Sequence, residues 1–415
     1  MKIFTALVSF LFASTSVTQT LQNDNGWRPA WGLDRIDQRE EGLNDTYNYT
    51  LTGAGINVYV FDSGINSSHE EFTGRIEPGF NVINDAYGTE DCSGHGSHTA
   101  SLIGGTTYGV AKQVKLIPVR VLNCNAGNSS SATLYTAINW IIEHHQTGVP
   151  AIVNMSVGMS KSIAFNEAAQ ALIADGLIVV GAAGNQNRDA CLYSPASEPS
   201  VISVGGIDRA ALRASYSNYG TCVDIFAPGS DLVGAWFGST NTYRSSSGTS
   251  NAAPIVSGIV ALMLQDNPSL TQSQVEERLK TNATRDVLFN IGPDSQNLLA
   301  YSMFDSSGPV PITTVPVTTT TIPVTTIPVT TTTVPATTTT IPVTTTTTPA
   351  VIITTTSVAP QPTTRMPILK STRTTIPLPA DMTCTEAGAR IYFYNVPYIC
   401  SSGRWLLGAY SPGRP

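Results

Sequence analysis

No stretch of this 415-residue chain approaches 18 consecutive apolar residues, which excludes an ordinary membrane-spanning helix. No Lys/Arg cluster is present either: 22 basic against 29 acidic side chains leave a net charge of -7, spread along the chain. Nucleic acids and anionic membranes are bound largely through concentrated positive charge, so neither is an expected partner. Histidine is scarce, with five residues. His95 and His98, three apart, would place two metal ligands near Asp62, but no further His or Cys follows at a suitable spacing.

What is present divides the chain. Met1-Lys2, the apolar run Ile3 to Ala13 and small polar residues to Thr20 read as a secretory signal peptide, residues 1–20, too short to span a bilayer. The foldable composition runs through 21–305 and changes abruptly after Asp305. From 306 to 380 the chain is Thr- and Pro-rich, with Pro316, Pro323, Pro328, Pro335, Pro342 and Pro349 mostly seven apart. That spacing is no coiled coil, because proline removes helical hydrogen bonds and threonine is a poor helix former. The composition fits an extended linker open to O-glycosylation, with a reach on the order of 200 Å. Residues 381–415 alternate Arg390-Ile391-Tyr392-Phe393-Tyr394 and return with Arg404-Trp405-Leu406-Leu407, a small β-rich module that needs a covalent staple or a partner. Its aromatics serve either its own core or contact with a surface or polysaccharide.

Three segments carry chemistry. Ile56-Asn57-Val58-Tyr59-Val60-Phe61 reads as a buried parallel strand with Asp62 at its carboxyl end, where active sites of open α/β sheets gather. His95 stands between Gly94 and Gly96, ahead of a small-residue segment that starts a helix. Ser250 opens an apolar run from Ala252 to Leu264, which places its hydroxyl at a helix N-terminus, where developing negative charge is favoured. A hydroxyl becomes nucleophilic beside an imidazole, and a carboxylate fixes that imidazole's tautomer and stabilises its cation. The chain order Asp…His…Ser is one of the arrangements that performs this chemistry.

Asp62-Ser63-Gly64, Gly94-His95-Gly96-Ser97-His98-Thr99 and Ser247-Gly248-Thr249-Ser250-Asn251-Ala252-Ala253-Pro254, together with Trp31 to Gln38, make the chain resemble the subtilisin-like serine proteases. The likeness is to their proteinase K branch, nearest its aqualysin-like bacterial members, and runs from Trp31 to about Leu279. It implies a three-layer α/β/α fold with a mainly parallel sheet. The implied activity is secreted endopeptidase cleavage of proteins, with broad apolar or aromatic preference, by a chain that acts as a monomer. Asp62, His95 and Ser250 would be catalytic and Asn185 an oxyanion donor, with Gly127, Ser156, Val157, Gly158, Ala182, Ala183 and Gly184 against the substrate. It further implies structural calcium held by Pro199, Val201 and Asp224, and a second calcium at Asp34, Asp37 and Gln38, where Asn44 replaces a carboxylate that some relatives carry. The aqualysin-like pattern pairs Cys92 with Cys124 and Cys191 with Cys222, leaving Cys384 with Cys400; the six cysteines alone allow fifteen pairings.

Three departures stand out. Asn251 follows the nucleophile where the family usually has methionine, and Ile255 stands where it has histidine. Only about ten residues separate the expected leader from Trp31, too few for the inhibitory prosegment such enzymes carry. Asn251 and the short spacing argue for a rival expectation, a catalytically weak or inactive binding or adhesion protein that retains the protease shell on its stalk, against which the intact Asp62, His95 and Ser250 stand.

Overall fold

The computed structural model describes residues 16–21, 30–40, 42–83, 85–125 and 130–304, together with three strands at 390–393, 396–401 and 404–407. Two compact units result, residues 1–318 and 319–415. In the first, nine strands form one sheet: β1 (Asn57–Asp62), β2 (Phe80–Asn81), β3 (Lys115–Arg120), β4 (Ala151–Met155), β5 (Ile178–Ala182), β6 (Ile202–Ile207), β7 (Ile225–Pro228), β8 (Thr284–Arg285) and β9 (Leu298–Leu299). Their spatial order is β8-β9-β7-β6-β5-β4-β1-β3-β2. All neighbours run parallel except β8 and β9.

Strand alternation explains the layers. Val58, Val60, Ile152 and Val180 face one core, while Tyr59, Phe61, Val153 and Val179 face a second. A strand buried on both faces reads as a nearly continuous apolar run, as Val58 to Phe61 does. The first core is closed by α1 (His95–Gly104) and α4 (Thr249–Asp266), which bury Ile103, Val256 and Ile259. The second is closed by α2 (Ser131–His144) and α3 (Ile163–Ala174), which bury Ile138, Ile141, Phe165 and Leu172. A fifth helix, α5 (Gln272–Asn282), adds Val275 and Leu279 to the first core. The fold is therefore the expected three-layer α/β/α arrangement with a mainly parallel sheet.

The chain passes from β1 to β3 on one side, then crosses to β4 on the other. Strand order thus reverses at β1, and such a reversal opens a crevice at the strands' carboxyl ends. Asp62 is the last residue of β1 and lies at that crevice.

Cys92–Cys124 and Cys191–Cys222 are both bonded. Cys384 lies outside the described residues, as do Gly127, most of the expected leader and the Thr/Pro-rich segment. Residues Val17–Thr20, within that leader, pair antiparallel with Thr46–Tyr49. The second unit contributes a three-stranded antiparallel sheet, Arg390–Phe393, Val396–Ser401 and Arg404–Leu407.

Candidate active site

The Asp62 side chain is fully buried, and its Oδ1 accepts from Ser63 N at 2.7 Å and meets His95 Nδ1 at 2.7 Å. Thr99 Oγ1 donates to the other oxygen at 3.3 Å. A carboxylate can only accept, so Nδ1 of His95 carries the proton and Nε2 is left as the base. Burial disfavours the imidazolium, but the charge and hydrogen bond of Asp62, helped by Asp91, outweigh it and hold the His95 pKa above its ordinary value.

His95 is delivered by the close approach of α1 to the end of β1. A Cβ on Gly96 would fall 2.1 Å from the carbonyl oxygen of Gly64, so only glycine admits this approach. Asp91 secures the same corner. Its carboxylate accepts from Ser63 Oγ, Ser93 N, Gly94 N, Ser97 N and Ser97 Oγ, all at 2.7–2.9 Å. One buried side chain thereby ties the residue after Asp62 to the first turn carrying His95. Sequence reasoning missed Asp91; its signal is an acid three residues before a glycine that opens a helix.

Ser250 is the second residue of α4, where backbone N–H groups have no intrahelical acceptor. Pro254, four residues on, lacks the N–H that would normally bond the Ser250 carbonyl. Ser156 Oγ supplies that bond at 2.8 Å. Ser156 is in turn held by Asn154 Nδ2 at 2.9 Å, and Ser257 Oγ donates to Asn154 Oδ1 at 2.9 Å. Ser156, expected as a substrate wall, pins the Ser250 backbone.

Asn185 presents its amide with a defined polarity. Thr249 N and Thr249 Oγ1 both meet Oδ1 at 2.8 Å, and an N–H can only donate. The amide nitrogen is therefore free to donate elsewhere. A Cβ on Gly248 would lie 2.8 Å from Ser250 Oγ and 3.4 Å from Asn185 Nδ2. Any side chain at position 248 would intrude between Ser250 Oγ and Asn185 Nδ2.

Around them lies a cavity of about 310 Å³, lined by His95, Ser250, Asn185 and Thr249 together with Ser156, Val157, Gly158, Ala182 and Gly184. Ala183, expected there too, is fully buried behind the wall and packs in the first core. Met159, Gln186 and Tyr193 also line the cavity. Asn218 organises this wall, accepting from Gln186 N and Arg188 N at 3.0 Å and donating to Ala183 O at 2.8 Å. A larger cleft of about 1010 Å³ sits at the amino ends of β4 and β5, around Pro150 and Leu177, away from the crevice and without Asp62, His95 or Ser250.

His98 does not join His95. It is buried, its Nε2 meets the Leu232 carbonyl at 3.0 Å, and burial pushes its pKa down to about 4. Among the described residues no group of three or more His, Cys, Asp or Glu side chains could hold a metal ion.

The two calcium expectations meet different surroundings. Asp34 and Asp37 are buried, and desolvation raises both pKa values even though backbone N–H groups of Asn44, Asp45 and Asn48 bond to them. Asp37 Oδ1 is buried with no hydrogen-bond partner, while Gln38 Oε1 accepts from Asn44 Nδ2 at 2.8 Å. An orphaned carboxylate oxygen beside a second buried carboxylate suits a hard cation. At the other corner, Asp224 Oδ1 meets Lys280 Nζ at 2.8 Å and Oδ2 accepts from Ser203 N at 2.8 Å.

Residues 53–305 match the model of the subtilase family. The chain belongs to that family. An extracellular serine proteinase of Thermus sp. (strain Rt41A) is 50% identical over 274 residues, an alignment covering 66% of each chain. Alkaline serine exoprotease A of Vibrio alginolyticus is 41% identical over 276 residues, or 66% of this subtilase and 51% of that protein. The crystal structure of a cold adapted subtilisin-like serine proteinase superposes with a TM-score of 0.63 at 41% identity, covering 66% of this chain and 98% of that one. This subtilase thus spans between half and two thirds of the length of the two curated relatives named.

Proposed function

We propose that this chain is a secreted serine endopeptidase that cleaves protein and peptide substrates through an acyl intermediate on Ser250. One observation carries the reading: the 2.7 Å contact from Asp62 to His95 Nδ1 fixes the base on the wall of the cavity that also holds Ser250 and Asn185. Ser250 Oγ attacks the scissile carbonyl while His95 Nε2 takes its proton, and Asp62 stabilises the resulting imidazolium. The oxyanion receives hydrogen bonds from Asn185 Nδ2 and the Ser250 N–H, donors already oriented before charge develops. The imidazolium then protonates the departing amine, and water repeats the sequence to release the acid.

Val157, Gly158, Met159 and Ala182 give the cavity an apolar wall, and about 310 Å³ accommodates a large apolar or aromatic side chain. Secretion is supported by the leader-like start, by the two disulfides and by the extracellular relative. No helix among the described residues is long and apolar enough to cross a membrane. A structural calcium ion would be held by Asp34 and Asp37, supplying a partner for the buried Asp37 oxygen that has none.

The test is Ser250→Ala. Caseinolysis should vanish, with a loss on the order of a million-fold of the kind known from subtilisin itself, while circular dichroism stays native. Unchanged cleavage by this variant would sink the assignment.

A further inference from the structure

Asp224 immediately precedes β7, and one of its oxygens is committed to Ser203 N on the adjacent strand β6. The other meets Lys280 Nζ at 2.8 Å. Lys280 belongs to the last turn of α5, and its ammonium also reaches Glu276 Oε1, one turn earlier, at 2.5 Å. All three side chains are mostly buried, with exposures of 26% for Lys280, 16% for Asp224 and 23% for Glu276. A full positive charge is therefore paired with Asp224, the carboxylate to which the family resemblance assigns a divalent cation.

We propose that Lys280 is a covalently attached substitute for calcium at this corner, so that Asp224 is neutralised by the chain itself. Two physical arguments support it. A calcium ion on the same carboxylate would stand a few ångströms from the ammonium, where a divalent cation and a fixed positive charge repel strongly even in a surface-like dielectric. The lysine is also tethered, so its local concentration does not depend on the medium. The corner joins β6, β7 and α5 by one ion pair and one backbone hydrogen bond, replacing a bond that dilution or chelation would break. Asp34 and Asp37, at the other corner, keep one buried carboxylate oxygen without a hydrogen-bond partner, which leaves them as this chain's calcium-dependent position.

Calcium binding to the full chain, carrying Ser250→Ala to prevent self-digestion, decides the matter by equilibrium dialysis against calcium. Comparison of variants cancels any ion at Asp34 and Asp37. Lys280→Ala should bind one more equivalent than its parent, and adding Asp224→Asn should remove that extra equivalent. In chelator, Lys280→Ala should melt below its parent, and excess calcium should recover most of the difference. The proposal is overturned if the parent itself loses one equivalent on Asp224→Asn, since Asp224 would then bind calcium with Lys280 in place. It is equally overturned if Lys280→Ala binds no more calcium than its parent. The second comparison needs no change at Asp224, so it stands even where Asp224→Asn fails to fold.

Discussion

Replacing Asn185 separates transition-state stabilisation from structure. Its Oδ1 accepts two hydrogen bonds from Thr249, and its Nδ2 is directed to the point shared with Ser250 Oγ. Asn185→Ala removes the donor and leaves the two Thr249 groups to water. Asn185 is exposed, so water reaches them and the stability cost should stay near 1 kcal/mol. The oxyanion exists only at and near the transition state, so the loss should fall on kcat with KM little changed. Losing one such donor costs about 10²–10³ in kcat, a range established in subtilisin and equivalent to about 2.7–4 kcal/mol. Asn185→Asp sharpens the test: it preserves an acceptor for Thr249 but turns an anion toward the developing anion. Its kcat should fall at least as far as that of the alanine variant, with melting unchanged. Steady-state kinetics on a peptide anilide, paired with thermal melts, reads both quantities. A kcat within tenfold of wild type in Asn185→Ala would refute the oxyanion assignment.

Three further outcomes follow from the buried groups. Because Asp62 raises the His95 pKa, and the base must be neutral, the acidic limb of kcat/KM should lie above pH 6.5; Asp62→Asn should move it downward and lower kcat by about 10⁴, and a limb unmoved by that substitution contradicts the pairing. His98 is held neutral with its pKa near 4, below the ordinary 6.5, so the stability it confers is complete above pH 6.5 and is lost as pH falls through about 4. The gap corresponds to roughly 3 kcal/mol, and melts of Ser250→Ala with and without His98→Gln, between pH 7 and 4, should show the acid sensitivity shrinking in the glutamine variant. Asn251 is buried with its amide nitrogen unpaired, so Asn251→Met should stabilise by about 1 kcal/mol while making activity more sensitive to peroxide; equal inactivation of the two proteins would remove position 251 from the account.

The catalytic centre was legible because its signals are local. Asp62 ends an apolar strand, His95 sits between glycines and Ser250 opens an apolar helix, each a pattern of a few adjacent residues. The parallel sheet was legible for the same reason, since Val58 to Phe61 and Ile152 to Met155 read as strands buried on both faces. What escaped depends on pairs distant in the chain. Asp91 acts through Ser63, 28 residues earlier, and Asn218 through Gln186, 32 residues earlier. Neither has a sequence pattern beyond an ordinary turn acid or turn amide. Lys280 reaches Asp224 across 56 residues, so a ligand set carried over by resemblance gave no warning of it. Ala183 differs in kind: it follows the last residue of β5 and is fully buried, while Ala182, in the same core, keeps an edge on the cavity.

The central claim is that Ser250, and no other hydroxyl, forms the covalent intermediate. Treating the purified chain with a fluorophosphonate and mapping the adduct by peptide mass spectrometry tests it directly. One adduct per chain, on Ser250, should appear in step with the loss of caseinolytic activity, and it should be absent from His95→Ala, where the base is gone. Full inactivation with the label on another residue, or labelling of Ser250 that leaves activity intact, would contradict the account.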